Sequence, residues 1–153
     1  MDDAPALVIA WGNPGRRDDG AAWVVADRLR QALPPGAPVE ILVVCQLGPE
    51  LAEPLSRARR VVFVDASVEA EGPGVTVRPV APEAAPAPGL THSLPPDRLL
   101  ALAAALYGRA PEAHLVTVRA HDLDFGDTLS AATAALVGPA TARVLERVLD
   151  RAG

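Results

Sequence analysis

The chain has a single cysteine, Cys45, among its 153 residues, and it has no lysine, since all 14 basic residues are arginine. A lone thiol excludes an internal disulfide framework and a zinc site built from several cysteines, so we expect a reducing cytoplasm as the setting. Aromatic residues make up only 3% of the chain, so the core must be built from Ala, Val and Leu. The net charge of −5 argues against a nucleic-acid-binding protein, because such proteins usually present a basic surface.

Long hydrophobic runs are absent as well. No run approaches the ~20 apolar residues that cross a membrane, and the first residues lack the basic start and long apolar stretch of a secretory signal. Half of the residues are nevertheless apolar, which is enough for a buried core. A length of 153 residues fits one domain. We therefore predict a single domain over residues 1–153, in a cytoplasmic monomer that binds neither membrane nor nucleic acid.

Short apolar runs alternate with segments of helical spacing. The runs predict strands at 6–11, 39–44, 61–64, 75–80 and 115–118. The helical segments are 21–32, 49–58, a helix opened by Pro95 and Pro96, and a final helix capped by Ser130. We expect the second segment to be weakened or kinked at Pro54, and the final helix to break or kink at Gly138 and Pro139. The third and fourth strands are joined too closely for a parallel crossover, so they should be antiparallel. The order predicts a three-layer α/β/α sandwich with a five-stranded, mostly parallel sheet and one antiparallel strand.

Polar residues follow three of the parallel strands, at the edge where ligands bind in open α/β sheets. The first strand leads to Asp18 and Asp19, either of which could cap the next helix, and the third strand ends at Asp65. A buried carboxylate needs a partner, so Asp65 is an acceptor for backbone N–H groups, a metal ligand or an acid/base group. Two aspartates with His92 would give oxygen and nitrogen ligands suited to Zn, Ni, Mn or Fe. The sequence separations do not by themselves prove such a site.

Several other polar residues and loops are alternative candidates for a metal, catalytic or nucleotide site. A rival ligand cluster, or simply a solvated loop, follows the fifth strand at His121, Asp122, Asp124 and Asp127. We interpret His114 as structural, and Cys45 is a poor nucleophile because no base lies near it in the sequence. The first loop lacks the G-x-G-x-x-G pattern, and its aspartates would repel a phosphate, so nucleotide binding is disfavoured. Asn13 should tie the turn that presents Asp19.

Several motifs, in order along the chain, resemble those of the hydrogenase maturation proteases. GNPGRRDDG at 12–20 resembles the family's G-N-x-x-x-x-D-[DE]-G loop, and VVFVDAS at 61–67 resembles its second acidic motif. The segment at 89–111 resembles the histidine segment, with a His before a Leu-rich helix and a G-x-x-P turn. GDTLSAATAAL at 126–136 resembles the entry to the C-terminal helix. Departures from the family pattern at Gly15, Arg17 and Ala22 alter the rim of the first loop.

The resemblance implies an endopeptidase that removes the C-terminal peptide of a nickel–iron hydrogenase large-subunit precursor after nickel insertion, and so activates the hydrogenase. It places the family's metal-contacting positions on Asp19, Asp65 and His92, and it implies a three-layer α/β sandwich. The expected metal is nickel carried by the substrate, with zinc or another divalent ion able to substitute. Hydrolysis would use a water activated by the metal or by a carboxylate, as in an aspartic-type endopeptidase.

An alternative function retains the fold and the metal contacts without the chemistry. In that interpretation the protein is a non-cleaving, metal-sensing module that docks on the hydrogenase large subunit or on a metallochaperone.

Overall fold

Five strands alternate with helices in the computed structural model, which describes residues 4–70, 72–83 and 94–149. The strands are β1 (Ala6–Trp11), β2 (Val39–Val44), β3 (Arg60–Ser67), β4 (Val75–Val80) and β5 (Glu112–Arg119). The α-helices are α1 (Ala21–Ala32), α2 (Ala52–Arg57), α3 (Pro96–Tyr107), α4 (Ala131–Ala134) and α5 (Val137–Leu149). Short 3-10 helices at Arg17–Gly20 and Pro49–Leu51 lead into α1 and α2. None of the helices described in these ranges is long and apolar enough to cross a membrane.

The strands form one sheet in the order β2-β1-β3-β5-β4, with β4 antiparallel to β5 and the other pairs parallel. The predicted fold class is therefore confirmed. The third and fourth strands run in opposite directions, as predicted, and β5 lies between them, so that β4 forms an edge of the sheet. The physical reason lies in β4, whose Arg78 is exposed and whose Pro79 lacks an N–H, since such residues suit the edge of a sheet.

Side chains alternate between the two faces of the sheet, and each face is covered by a different pair of helices. One buried cluster joins Val8, Val62 and Val116 to residues of α1 and α5. The other joins Ile9, Phe63 and Leu115 to residues of α2 and α3. The core is mostly small aliphatic, as the low aromatic content predicts.

The chain reverses its direction across the sheet between β1 and β3. From β1 the chain passes through α1 to β2 on one side, and then through α2 to β3 on the other side of β1. Helices α1 and α2 consequently cover opposite faces, and a crevice opens between the carboxyl ends of β1 and β3. The loop after β1 and Asp65 near the end of β3 both lie at this crevice.

The helix ends differ from prediction in three places. The N-cap of α1 is Gly20 and has no side-chain cap hydrogen bond, so neither Asp18 nor Asp19 caps this helix. Ser130 does act as a cap, since its Oγ accepts from the N–H of Thr133 at 3.3 Å, but the capped helix is the short α4. The chain breaks between α4 and α5, earlier than the predicted break.

Two prolines that the sequence suggested as helix breaks or kinks lie at the starts of helices instead. Pro139 lies in the first turn of α5, and Pro54 lies in the first turn of α2. The N–H groups of a first turn have no partner within the helix, so a proline there costs little. Neither proline therefore marks the break or kink that the sequence suggested.

Strands β3 and β5 extend beyond their apolar runs. The prediction gave 61–64 and 115–118, whereas the strands span Arg60–Ser67 and Glu112–Arg119. The added residues pair with one another across the two strands, with Asp65 opposite Thr117. Asp65 therefore lies within a strand rather than just beyond one.

Candidate functional site

The loop after β1 folds back tightly at Gly12. This residue has φ +147°, and a Cβ at this position would lie 2.0 Å from the backbone carbonyl oxygen of Asp19. Any side chain would therefore push Asp19 away from the strand end. The indole Nε1–H of Trp23 donates to the carbonyl of Gly12 at 2.9 Å and holds the fold from the side of α1.

Asp19 is held in place by backbone groups of its own loop. The N–H of Asn13 donates to Asp19 Oδ2 at 2.8 Å, and the N–H of Asp19 donates to the carbonyl of Arg16 at 3.0 Å. The side-chain oxygen of Asn13 accepts from the N–H of Gly15 at 2.9 Å. The predicted role of Asn13 in tying this turn is thus confirmed, while its effect on activity stays a prediction.

Asp65 approaches Asp19 from β3. It is half-buried, and strand alternation places its side chain on the same face as Phe63, beneath α2 and α3. Burial, together with the smaller effect of the negative charge of Asp19, raises the pKa of Asp65 to about 7, against the opposing effect of a hydrogen bond from the N–H of Ala66. The two carboxylates are therefore close enough to interact electrostatically, and Asp65 can exchange a proton near neutral pH.

The third predicted site residue, His92, lies outside the described residues. The described chain resumes at Leu94, whose N–H donates to the carbonyl of Leu47 at 3.0 Å. Leu47 follows β2 and so lies at the same edge of the sheet as Asp19 and Asp65. The structure thus brings two of the three predicted residues together.

A row of hydroxyl groups, which the sequence analysis missed, continues from Asp65 across the sheet. Asp65 is paired with Thr117 of β5, and Thr117 is paired with Thr76 of β4. Directly paired residues share a face of the sheet, so one carboxylate and two hydroxyls lie side by side. Each threonine lies between two valines in the sequence. This pattern identifies each as a polar position within a strand, but it does not predict that the two threonines are paired across neighbouring strands.

Asp18, the neighbour of Asp19, points away from the crevice and is fully buried. Its carboxylate accepts five hydrogen bonds of 2.7–2.9 Å, from three backbone N–H groups and two hydroxyls: those of His121, Asp122, Ser130 and Thr133. Burial alone would raise the pKa of Asp18, but the hydrogen bonds from Ser130, His121 and Thr133 outweigh it and hold the pKa well below its ordinary value. Asp18 is therefore a permanently ionised structural anchor.

Further contacts fasten the loop after β1 to the loop after β5. We call loops 12–19 and 121–130, with their mutual contacts, the clamp. The N–H of Arg17 donates to the carbonyl of Gly126 at 2.9 Å, and the N–H of Gly126 donates to the carbonyl of Gly15 at 2.9 Å. Arg17, at φ +43°, also forms an ion pair with Asp122. A non-glycine residue in this backbone region is strained, so the surrounding contacts must hold it there.

The clamp decides between the two interpretations of the loop after β5. Asp122 pairs with Arg17, and Nδ1 of His121 lies 2.8 Å from the hydroxyl of Thr133. Across residues 4–70, 72–83 and 94–149, no group of three or more His, Cys, Asp or Glu side chains is arranged to hold a metal ion. The rival cluster of His121, Asp122, Asp124 and Asp127 is therefore not a metal site. The pair of Asp19 and Asp65 would need a third ligand from elsewhere.

Solved structures of hydrogenase maturation proteases share this fold. The hydrogenase maturating endopeptidase HybD from E. coli is 23% identical, with 94% of this chain and 91% of its own aligned at a TM-score of 0.74. The [NiFe] hydrogenase maturation protease HybD from Thermococcus kodakarensis is 22% identical, with 94% and 99% aligned at 0.67. A hydrogenase 2 maturation peptidase from a Thaumarchaeota archaeon is 24% identical, with 94% and 97% aligned at 0.68.

Sequence comparison alone is less informative, since no protein-family model matches the chain and no curated protein matches it significantly. At the identities of the solved structures, the likeness establishes a shared fold over nearly the whole chain. It agrees with the family to which the sequence motifs pointed.

Proposed function

We propose that the protein is an endopeptidase that removes the C-terminal peptide from the large-subunit precursor of a nickel–iron hydrogenase after nickel has been inserted. One observation carries the proposal: Asp19 and Asp65 meet at the crevice between β1 and β3 and interact electrostatically. Support comes from the fold, which is shared over 94% of the chain with a protein described as a hydrogenase maturating endopeptidase. The sequence motifs at these two aspartates point to the same family.

In this proposal the nickel ion belongs to the substrate, and the protein inspects it. Asp19 and Asp65 supply carboxylate oxygens, and His92 supplies an imidazole nitrogen, which together suit nickel, zinc and similar divalent ions. His92 is included because its segment resembles the histidine segment of the family. Three protein ligands leave coordination positions for groups of the precursor. A cation between the two aspartates would also relieve their mutual repulsion.

The chemistry of cleavage is assigned to water and Asp65. In the metal-free protein the pKa of Asp65 is about 7, and we assign to its carboxylate the acceptance of a proton from the attacking water. As the water oxygen bonds to the carbonyl carbon, the peptide C–N bond breaks, and the proton passes to the leaving amine. Two carboxylates with separate roles are the pattern of an aspartic-type endopeptidase. The negative charge of Asp19 stabilises the protonated form of Asp65 until the proton is transferred to the nitrogen of the leaving amine.

The test is cleavage of the nickel-loaded precursor by the purified protein, followed by intact-mass measurement of the large subunit. We expect loss of the C-terminal peptide with the wild type, and an uncut precursor with Asp65→Asn, Asp19→Asn or His92→Ala. Asp27→Asn is the matched control, because this exposed aspartate of α1 lies away from the crevice and should leave cleavage unchanged. A wild-type protein that binds the precursor and leaves it intact would contradict the proposal and favour the non-cleaving module.

A further inference from the structure

The most exposed large apolar side chain in the described part of the chain is a phenylalanine. The chain has two phenylalanines. Phe63 is fully buried, whereas Phe125, in the loop after β5, is 85% exposed. Exposed large apolar side chains are common singly, so exposure alone assigns no role. The surroundings of Phe125 distinguish it from a stray surface residue.

The backbone on both sides of Phe125 is fixed. Gly126 exchanges hydrogen bonds with the loop after β1 through Gly15 and Arg17, and the N–H of Asp124 donates to Asp122 Oδ1 at 2.9 Å. The Phe125 ring also lies under the guanidinium of Arg16, whose Cζ is 4.9 Å from the ring centroid. This distance is within the range of a cation–π interaction. The backbone that carries the ring is therefore anchored, and Arg16 covers one face of the ring.

Arg16 adds an uncompensated positive charge to the ring. The adjacent Arg17 is neutralised by its ion pair with Asp122. Arg16 instead donates from Nε to the carbonyl of Leu123 at 3.0 Å, and within the described part of the chain it forms no ion pair. An aromatic ring beneath a free cation is complementary to an apolar pocket with a carboxylate at its rim. Phenylalanine and arginine are both enriched in protein–protein interfaces relative to the rest of the protein surface.

The position of this pair relates it to the crevice. The carbonyl of Arg16 accepts from the N–H of Asp19, so Arg16 is one turn of chain from the candidate site. A macromolecule that places a segment of its chain at Asp19 therefore passes close to Arg16. A preformed contact here would lower the entropic cost of docking a large substrate.

We propose that Phe125 and Arg16 form a docking knob for the folded part of the protein substrate, which presents an apolar pocket with a carboxylate at its rim. The inference rests on the proposed function, because it takes the substrate to be a protein larger than the cleaved peptide. The knob contributes affinity and alignment, and the chemistry stays with the crevice.

The test compares steady-state cleavage of the nickel-loaded precursor by the wild type and by Phe125→Ala. We expect KM for the precursor to rise roughly tenfold while kcat is unchanged, because truncation of a hot-spot side chain weakens binding and leaves the crevice intact. Phe125→Trp should retain a KM close to that of the wild type. Leu106→Ala is the matched control, because Leu106 is 62% exposed near the end of α3, at the opposite edge of the sheet. An Arg16→Gln variant should raise KM and flatten its dependence on salt.

The outcomes separate the two proposals. A Phe125→Ala variant with an unchanged KM, or one that loses kcat instead, overturns the docking knob while the proposed function stands. A wild-type protein that leaves the precursor uncut overturns the proposed function. The docking knob is then tested by the affinity of the wild type and of Phe125→Ala for the precursor, and equal affinities overturn the knob. Self-association of the wild type that Phe125→Ala abolishes would assign the knob to a second copy and overturn the inference.

Discussion

Asp18 and Asp65 lie at the same edge of the sheet, and burial disfavours the charged form of both, yet their pKa values shift in opposite directions. Asp18 accepts five hydrogen bonds from the loop after β5, and its pKa is far below the ordinary range. Asp65 accepts one backbone N–H bond and faces a second carboxylate, and its pKa rises to about 7. The difference lies in the supply of donors, since burial acts on both. A carboxylate with a full set of donors is an anchor, and one with few donors can receive a proton or a cation.

The largest expected effect is on cleavage. Asp65→Asn removes the proton acceptor and one charge of the pair, so we expect kcat/KM for the nickel-loaded precursor to fall by roughly 100-fold or more. Single-turnover cleavage followed by mass spectrometry measures this. A folded Asp65→Asn variant that cleaves at nearly the wild-type rate would contradict the functional distinction between Asp65 and Asp18.

The next effect is the pH dependence of stability. The folded state binds the Asp65 proton more tightly than the unfolded chain, whose pKa is near 3.8. The stabilising contribution of this proton is complete below pH 3.8 and is lost as the pH rises through 7. Asp65→Asn lacks this loss, so it should become more stable than the wild type by roughly 4 kcal/mol of unfolding free energy at pH 8. Urea unfolding of both proteins between pH 5 and 8 tests this, and a constant difference would contradict it.

Asp18→Asn should act on the fold and change little with pH. The amide nitrogen would face donors where the carboxylate accepts, and we expect a loss of about 3 kcal/mol of unfolding free energy. For a chain of this size, that lowers Tm by roughly 6–12 °C. The lowered pKa of Asp18 means that its stabilising contribution is lost only as the pH falls below 3.8. The loss should therefore be uniform between pH 5 and 8, and one confined to the upper part of that range would contradict the anchor.

The smallest effect concerns the turn that presents Asp19. Asn13→Ala removes the side-chain acceptor of the Gly15 N–H, at a cost of about 1 kcal/mol. The loop would then hold Asp19 less firmly, and we expect kcat/KM to fall roughly tenfold while Tm drops by only about 2–4 °C. Asn13→Asp, which keeps the acceptor, should recover much of the activity. A Tm loss as large as that of Asp18→Asn would make Asn13 a part of the anchor.

Local sequence pattern accounts for most of the fold and part of the site. The apolar runs located all five strands, and the helical spacing of apolar residues located α1 and α3. Both patterns are visible in the sequence because burial selects apolar residues at the positions that face the core. The place of β5 between β3 and β4 was not predictable, since strand order depends on contacts distant in sequence. The same limit applies to the row of Asp65, Thr117 and Thr76, which only the strand register aligns.

Asp18 shows the limit most clearly. In the sequence it is one of two adjacent aspartates before a helix, and the expected role was a helix cap. Its partners are His121, Asp122, Ser130 and Thr133, more than a hundred residues away along the chain. The sequence predicts a polar loop after β5, but no local pattern indicates that this loop donates hydrogen bonds to Asp18. The proximity of Asp19 and Asp65, in contrast, was predictable because the carboxyl ends of parallel strands converge at one sheet edge.

The most direct test of the paired-carboxylate site is the titration of Asp65, followed by NMR of its side-chain carboxyl carbon in the wild type and in Asp19→Asn. The predicted result is a midpoint near pH 7 in the wild type. In Asp19→Asn the midpoint should fall yet stay above the ordinary value, because burial remains when the neighbouring charge is removed. A midpoint near 3.8 in the wild type, or one that does not move when Asp19 is neutralised, would contradict the pairing of these two carboxylates.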